Sequence, residues 1–160
     1  MSKIRLGIIG IGNMGTAHPN NIISGKCPEI ELAAVADINP DRIKWAEENL
    51  PQSVAKFDNS DAMLDSGIID SALIAIPHYD HPRYAIECMK RGIHVMVEKP
   101  AGVYTKQVRE MNEFAAKSNV VFGMMFNQRT DHIYRKMREI VQSGELGQIR
   151  RTNWIITNWY

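Results

Sequence analysis

The sequence predicts an α/β fold in which a doubly wound parallel sheet carries helices on both faces. Three observations lead to this prediction. Short apolar segments alternate with amphipathic segments through residues 1–123, and such alternation is typical of parallel sheets with helical crossovers. The first apolar segment runs directly into a glycine-rich turn, Gly10 to Gly15. The second apolar segment stops at an acidic residue, Asp37.

Apolar and β-branched segments are predicted to form the strands of this sheet. The strands are expected at residues 3–9, 31–36, 54–57, 70–76, 93–97 and 120–123. One helix is expected to follow the glycine turn, and further helices are expected at residues 39–48, 60–64, 82–91 and 105–118. Asn39 is a good N-cap with Pro40 at the first helical position. Gly92 is expected to end the helix before it.

The glycine turn has the spacing of a dinucleotide-binding motif. Gly10, Gly12 and Gly15 form G-x-G-x-x-G between a predicted strand and a predicted helix. In this motif the first glycine allows the tight turn, the second lets a pyrophosphate approach, and the third lets the helix pack on the strand. The N–H groups and dipole of the helix then face the phosphates. Asp37 lies about 20 residues farther on, where a carboxylate accepts hydrogen bonds from ribose hydroxyls.

The motif by itself leaves alternatives open. A tight turn that serves only helix packing would use the same glycines, and a methyltransferase that binds S-adenosylmethionine could use the same turn and acid. The surrounding strand, helix, second strand and terminal acid favour a Rossmann domain that binds a nucleotide cofactor.

Composition argues against several other classes of protein. The chain of 160 residues is 44% hydrophobic and carries a formal net charge of +1, so electrostatics gives no reason to expect nucleic acid or an anionic membrane as partner. No apolar run approaches the roughly 20 residues of a membrane-spanning helix, and the first strand begins too early for a signal peptide. Cys27 and Cys88 have no metal-ligand spacing. We therefore expect no metal and two free, buried thiols in a reducing cytoplasm.

The pattern changes beyond residue 123. Residues 131–143 are predicted to form a helix, and residues 148–160, rich in aromatic and β-branched side chains, to form one long strand. A single strand has two unpaired edges to cover. We therefore expect residues 1–123 to form the nucleotide-binding domain and residues 124–160 to begin a truncated α+β domain. The alternative is that the strand pairs with another copy or with the edge of the first sheet.

Two further predicted strand ends carry unusual polar groups. Pro77 and His81 follow one of these strands, and Glu98, Lys99 and Pro100 follow the next. In a doubly wound sheet, ligands bind beyond the carboxyl ends of the strands. Lys99 is therefore expected to point to the crevice in which a nicotinamide would lie.

With these residues, the sequence resembles the glucose–fructose oxidoreductase, inositol dehydrogenase and MocA family (Gfo/Idh/MocA). The resemblance rests on the glycine turn, Asp37, the Pro77 and His81 pair and the Glu-Lys-Pro turn, and it continues through residues 127–129 and 144–149. It implies an NAD(P)-dependent oxidoreductase, not a methyltransferase. The implied reaction is hydride transfer between nicotinamide and a secondary alcohol of a sugar, cyclitol or related polyol.

The resemblance also implies roles for single residues. NAD is expected over NADP because a 2′-phosphate would meet the charge of Asp37, although Arg42 leaves some tolerance for NADP. Lys99 is the expected catalytic residue, whose ammonium would hydrogen-bond the substrate hydroxyl and favour the alkoxide. The expected cofactor contacts are Gly10, Ile11, Gly12, Asn13, Met14, Gly15, Asp37, Ile76, Pro77, His81, Glu98, Lys99 and Asn127.

The chain also departs from the family pattern. Family members supply a histidine general base, often with an aspartate, from the second domain, and no Asp-x-x-x-His element is present here. We therefore expect cofactor binding with little or no turnover, and a homo-oligomer for the full-length form. A non-catalytic dinucleotide sensor or regulatory module is the competing hypothesis.

Three of the four histidines outside the motif are predicted to have capping, packing or other structural roles. Asp131 and His132 are interpreted as a helix-capping pair, His18 as a surface or packing residue, and His94 as structural. The role of His78 is open.

Overall fold

The computed structural model describes residues 2–155 and 157, and its first unit, Met1–Met125, is built on a six-stranded parallel sheet. The strand order is β3-β2-β1-β4-β5-β6, which confirms the predicted doubly wound fold. The strands are β1 (Ile4–Ile9), β2 (Ile30–Ala36), β3 (Ala55–Phe57), β4 (Ser71–Ile74), β5 (His94–Glu98) and β6 (Phe122–Met125). The helices are α1 (Asn13–Ile23), α2 (Pro40–Asn49), α3 (Ser60–Asp65), α4 (His81–Lys90) and α5 (Thr105–Lys117).

The helix boundaries follow from local capping chemistry. The side chain of Asn39 accepts a hydrogen bond from the Asp41 N–H at 2.9 Å, which confirms the predicted cap of α2. Asn59 caps α3 in the same way. Gly92 has a φ of 71° just after α4, as expected for a glycine that ends a helix. Within the described residues, no helix has the length and apolar character that crossing a bilayer requires.

The observed strands differ from their predicted bounds by one residue at an end, except for β4 and β6, which differ by two. β4 ends at Ile74 because the ladder closes with the Ala75 N–H donating to the Ile9 carbonyl at 2.8 Å, after which the chain turns away. β6 begins at Phe122, two residues later than predicted, since the Val121 N–H bonds to the ring Nδ1 of His94 at 2.9 Å. This contact supports the structural role predicted for His94.

The core lies on both faces of the sheet. One apolar cluster joins the sheet to α3, α4 and α5, and a second joins it to α2 and the glycine turn. Cys88 lies fully buried in the first cluster, where burial raises the pKa of its thiol to about 12. Both cysteines are free, but Cys27 is only partly buried, so the prediction of burial is wrong for that residue.

An ion pair at the amino end of the sheet makes the stability of the fold depend on pH. The Arg5 guanidinium donates to both carboxylate oxygens of Asp70, at 2.6 and 3.0 Å, and these bonds lower the pKa of Asp70 from 3.8 to about 2. A carboxylate whose pKa is depressed by folding stabilises the fold above its unfolded pKa, and this contribution is lost as pH falls from about 4 to about 2. Both side chains are more than a third exposed, so the contribution is at most about 1 kcal/mol.

We expect Asp70→Asn to lower the free energy of unfolding at pH 6 and to change it much less near pH 2.5. Urea denaturation of wild type and variant at both pH values measures this difference. Asp58→Asn, which neutralises an exposed carboxyl, is the control and is expected to have little effect at either pH. A deficit for Asp70→Asn that stays constant between the two pH values would contradict the assignment.

The second unit, Phe126–Tyr160, contains a short 3₁₀ turn (Asn127–Arg129) and helix α6 (His132–Ser143). The carboxylate of Asp131 accepts from the Ile133 N–H at 2.8 Å, which confirms that Asp131 caps α6. Whether residues 124–160 begin an α+β domain stays a prediction.

The strand predicted for residues 148–160 is wrong where the structure describes it. Residues 148–155 take no regular secondary structure, and the ring of Trp154 stacks on Tyr134 of α6 at 5.6 Å between centroids. Strand propensity requires a partner backbone, and no strand is described within this unit to supply one. Residues 156 and 158–160 lie outside the described residues.

Candidate functional site

A pocket of about 370 Å³ opens where the carboxyl ends of β1, β2 and β4 meet. The strand order reverses between β1 and β4, so this pocket lies at the topological switch point of the sheet, where ligands bind in doubly wound folds. Five of the predicted contacts line it together. The lining residues are Gly10, Gly12, Ala36, Asp37, Ile38, Ser60, Ala75, Ile76, Pro77, Asp80, Arg83 and Tyr84.

The three motif glycines meet three different steric demands. Gly10 has a φ of 88°, and a Cβ there would lie 2.7 Å from the Ala75 carbonyl oxygen. A Cβ on Gly15 would collide with the Gly10 carbonyl oxygen. A Cβ on Gly12 would meet no atom within 4 Å. Gly10 and Gly15 are therefore required by packing, whereas Gly12 keeps open the space above the turn.

The first turn of α1 is left free to bind an anion. Gly12 is the N-cap of α1 and no side chain caps it, so the first-turn N–H groups, including those of Asn13 and Met14, point out of the helix without a side-chain acceptor. The side chain of Ile11 is fully buried, which limits that residue to backbone contacts. This cradle fits a pyrophosphate.

Asp37 lines the pocket and also accepts a hydrogen bond from the glycine turn. One carboxylate oxygen accepts from the Ile11 N–H at 2.8 Å, and the other accepts from the Asn39 N–H at 2.9 Å. Each oxygen keeps a further lone pair for another donor. Asp37 can therefore hold the glycine turn and accept hydrogen bonds from a ribose at the same time.

The pocket wall contains cationic and aromatic groups that the sequence did not single out. Arg83 and Tyr84, on the first turns of α4, both line it, and the guanidinium lies 4.9 Å from the centroid of the Tyr84 ring. Arg42, which the sequence suggested as the cation near the ribose, does not appear in the lining. The available signal was the placement of Arg83 just after the strand-end segment that carries Pro77.

The end of β5 carries Glu98 and Lys99. Glu98 is only 6% exposed, whereas Lys99 is exposed. One oxygen of Glu98 lies 2.8 Å from Nε2 of His18, and the other accepts from the Lys99 N–H at 3.2 Å. His18, interpreted from sequence as a surface or packing residue, thus makes a polar contact with a residue of the motif. The signal was its position one helical turn after Gly15, on the same face of α1.

His81 is fully buried and bridges two strand ends. Its Nδ1 lies 2.7 Å from the Pro100 carbonyl oxygen, and its Nε2 lies 2.8 Å from the Ile76 carbonyl oxygen. Since both nitrogens already face protein carbonyls, any contribution of His81 to ligand binding acts through the backbone that it holds. His78 is exposed, with its ring 5.5 Å from that of His81.

Eight of the predicted cofactor contacts do not line this pocket, and Asn127 is one of them. Asn127 belongs to the second unit, where its side chain accepts from the Gln128 N–H at 3.0 Å, so its contact with a cofactor stays a prediction. Among the described residues, no three His, Cys, Asp or Glu side chains cluster as metal ligands would.

Comparison with known proteins finds similar chains that are longer than this one. Myo-inositol 2-dehydrogenase of Thermotoga maritima is 30% identical over 145 residues, which cover 91% of this chain and 42% of that protein. The crystal structure of myo-inositol 2-dehydrogenase from Lactobacillus plantarum superposes with a TM-score of 0.86 at 30% identity, covering 92% of this chain and 43% of that one. The chain thus spans less than half the length of these relatives.

A further solved structure contains ligands. Scyllo-inositol dehydrogenase from Lactobacillus casei, with bound cofactor NAD(H) and scyllo-inositol, gives a TM-score of 0.84 at 29% identity over 91% of this chain and 43% of that one. A family described as "Oxidoreductase family, NAD-binding Rossmann fold" matches residues 4–126. The resemblance inferred from the motifs is therefore confirmed, and the chain belongs to the Gfo/Idh/MocA oxidoreductase family.

Proposed function

We propose that this chain binds NAD in the switch-point pocket and serves an oxidoreductase that acts on a secondary alcohol of a sugar, cyclitol or related polyol. One observation carries the proposal. The pocket unites an uncapped helix N-terminus behind Gly12 with the carboxylate of Asp37, which are the two groups that recognise a pyrophosphate and an adenosine ribose. The names of the relatives, which are inositol dehydrogenases, support the substrate class.

The binding mode follows from the chemistry of these groups. The first-turn N–H groups of α1 would donate to the pyrophosphate, and the missing side chain of Gly12 would let it approach. The free lone pairs of Asp37 would accept from the ribose hydroxyls. A 2′-phosphate would bring negative charge to the same carboxylate, so NAD is favoured over NADP.

Lys99 is the proposed catalytic residue. When bound, NAD would supply the hydride acceptor or donor at its nicotinamide. The exposed Lys99 follows the end of β5, the strand that pairs with β4 on the side away from β1. Its ammonium would hydrogen-bond the substrate oxygen and stabilise negative charge there. Ile76 and Pro77, which end the neighbouring segment after β4, would flank the nicotinamide side of the pocket.

The compartment and the oligomeric state of the whole protein are also proposed. We place it in the cytoplasm as a homo-oligomer, and the free thiols of Cys27 and Cys88 are consistent with a reducing compartment.

Isothermal titration calorimetry and thermal denaturation with NAD, NADP and ADP test the proposal directly. NAD at about one hundred times its dissociation constant should stabilise the fold by about 2.7 kcal/mol, and NADP should bind more weakly. The absence of heat and of any shift in melting temperature with both pyridine nucleotides would exclude the proposal.

Asp37→Ala is expected to weaken NAD binding about tenfold or more, because the ribose loses a charged acceptor. It should weaken NADP binding less, so that the preference for NAD collapses. The Ile11 N–H also loses its acceptor, so the melting temperature is expected to fall as well.

Two further variants separate these effects. Asp37→Asn removes the charge but keeps one acceptor oxygen, and it should restore part of the stability without restoring the full preference. Glu113→Ala removes an equal charge from an exposed position of α5 and should change neither property. A ratio of NAD to NADP affinity that is the same in wild type and Asp37→Ala would contradict the assignment of Asp37.

A further inference from the structure

We propose that His18 is a positioning residue for Lys99, which it holds through Glu98, so that helix α1 and the turn after β5 act as one unit. The inference rests on the proposed function and deepens it, because it assigns a role to a residue outside the glycine, acid and lysine motifs.

Glu98 and His18 are both largely shielded from solvent. The side chain of Glu98 is 8% exposed, and that of His18 is 17% exposed. A buried carboxylate is costly unless it is hydrogen-bonded or paired. Glu98 Oε1 has the ring Nε2 of His18 at 2.8 Å, and Oε2 has the backbone N–H of Lys99 at 3.2 Å. The orientation of this carboxylate is therefore set by one side chain and one amide.

The contact between His18 and Glu98 joins distant segments of the chain. His18 and Glu98 are 80 residues apart in the chain. His18 lies in the helix whose N-terminus faces the pocket, and Glu98 is the last residue of β5. The hydrogen bond therefore joins the proposed phosphate-binding helix to the strand end that carries Lys99.

His81 contacts the backbone on the other side of Lys99. Nδ1 of His81 lies 2.7 Å from the Pro100 carbonyl oxygen, and Nε2 lies 2.8 Å from the Ile76 carbonyl oxygen. Lys99 thus lies between Glu98 and Pro100, each of which is contacted by a histidine from a different helix. The Lys99 side chain is itself exposed, so its direction depends on the backbone that these contacts fix.

Removal of the His18 ring nitrogen leaves Glu98 Oε1 without its partner. The nearest cation along the chain is the ammonium of Lys99, one residue on, and an unpaired carboxylate would attract it. Lys99 would then turn from the nicotinamide end toward Glu98. The adenosine end of the pocket, which is built from Gly12, Asp37 and their neighbours, would keep its geometry.

Comparison of NAD with ADP as probes separates the two ends of the site, because ADP lacks the nicotinamide ribose and ring. We measure both affinities by calorimetry for wild type, His18→Phe, His18→Ala and His18→Gln. His18→Phe keeps the ring volume without a nitrogen, and His18→Gln keeps a donor for Glu98. In the two variants without a donor, NAD affinity is expected to fall about tenfold and ADP affinity to stay within about twofold, and His18→Gln should restore the wild-type ratio.

The matched control is His94→Phe. His94 is also a histidine that contacts a distant segment, because its Nδ1 accepts from the Val121 N–H, but it is the first residue of β5 and not the last. This variant should lower the melting temperature and leave the ratio of NAD to ADP affinity unchanged.

The outcomes distinguish the two proposals. A wild-type chain that binds neither NAD nor ADP would overturn the proposed function and this inference with it. Normal wild-type binding, combined with equal weakening of NAD and ADP in His18→Phe or with no rescue by His18→Gln, would overturn the role of His18 alone.

Discussion

Gly15→Ala is expected to reduce the free energy of unfolding by about 3 kcal/mol, at the upper end of the cost of overpacking. The added Cβ would collide with the Gly10 carbonyl oxygen, and a Cβ there also lies 2.8 Å from the Gly10 carbonyl carbon. Both atoms belong to the backbone of a turn that is itself fixed by the Gly10 N–H donating to the Ala36 carbonyl at 2.8 Å. No side chain can move aside, so helix α1 must shift away from the sheet.

Thermal and urea denaturation measure this loss. For a unit of this size, 3 kcal/mol corresponds to a fall in melting temperature of about 10 °C. Nucleotide binding should be lost as well, because the shift moves the N-terminus of α1. A variant that melts within a few degrees of wild type would show that the helix does not approach the turn as closely as described.

Gly12→Ala is expected to leave the fold nearly intact and to weaken NAD binding about 30-fold. A Cβ on Gly12 meets nothing within 4 Å, and its φ of −71° suits any residue, so the stability should change by less than about 1 kcal/mol. The methyl group would instead occupy the space through which the pyrophosphate approaches. Loss of hydrogen bonds to a charged group costs about 2 kcal/mol, which corresponds to about 30-fold in affinity.

Calorimetric titration with NAD and with ADP checks this expectation, and both ligands should weaken together because both carry the pyrophosphate. Gly12→Ser is the matched variant. Serine is a better N-cap than alanine, so it should recover any lost stability while it still blocks the phosphate. Full retention of NAD affinity in either variant, with a normal melting temperature, would place the phosphates elsewhere.

The contrast between these two glycines indicates what a sequence can reveal. The G-x-G-x-x-G spacing, the strand before it and the acid after the second strand are local patterns, and each is dictated by backbone geometry within a few residues. They predicted the sheet, the turn and the position of Asp37 correctly. The same patterns could not tell that Gly15 meets backbone while Gly12 meets open space, which depends on the packed fold.

Contacts between distant segments could not be predicted from the sequence for the same reason. The sequence shows that His18 lies one helical turn after Gly15, but it does not show that His18 meets Glu98, which is 80 residues away. Arg83 is similar, since its place on the pocket wall depends on how α4 leaves the sheet. The error at residues 148–155 has the opposite origin, because a strong local propensity was given more weight than the need for a partner strand.

In the proposed binding mode, the two hydrogen bonds of Asp37 restrict how this chain could change its nucleotide during evolution. A lineage that adopts a 2′-phosphorylated dinucleotide gains by discarding the acid, but the same substitution releases the amide of Ile11. Adaptation would therefore need a second replacement that supplies a new acceptor, and the single-step intermediate would be both less stable and poorly selective. The architecture of the loop thereby opposes a change of nucleotide specificity in a single step.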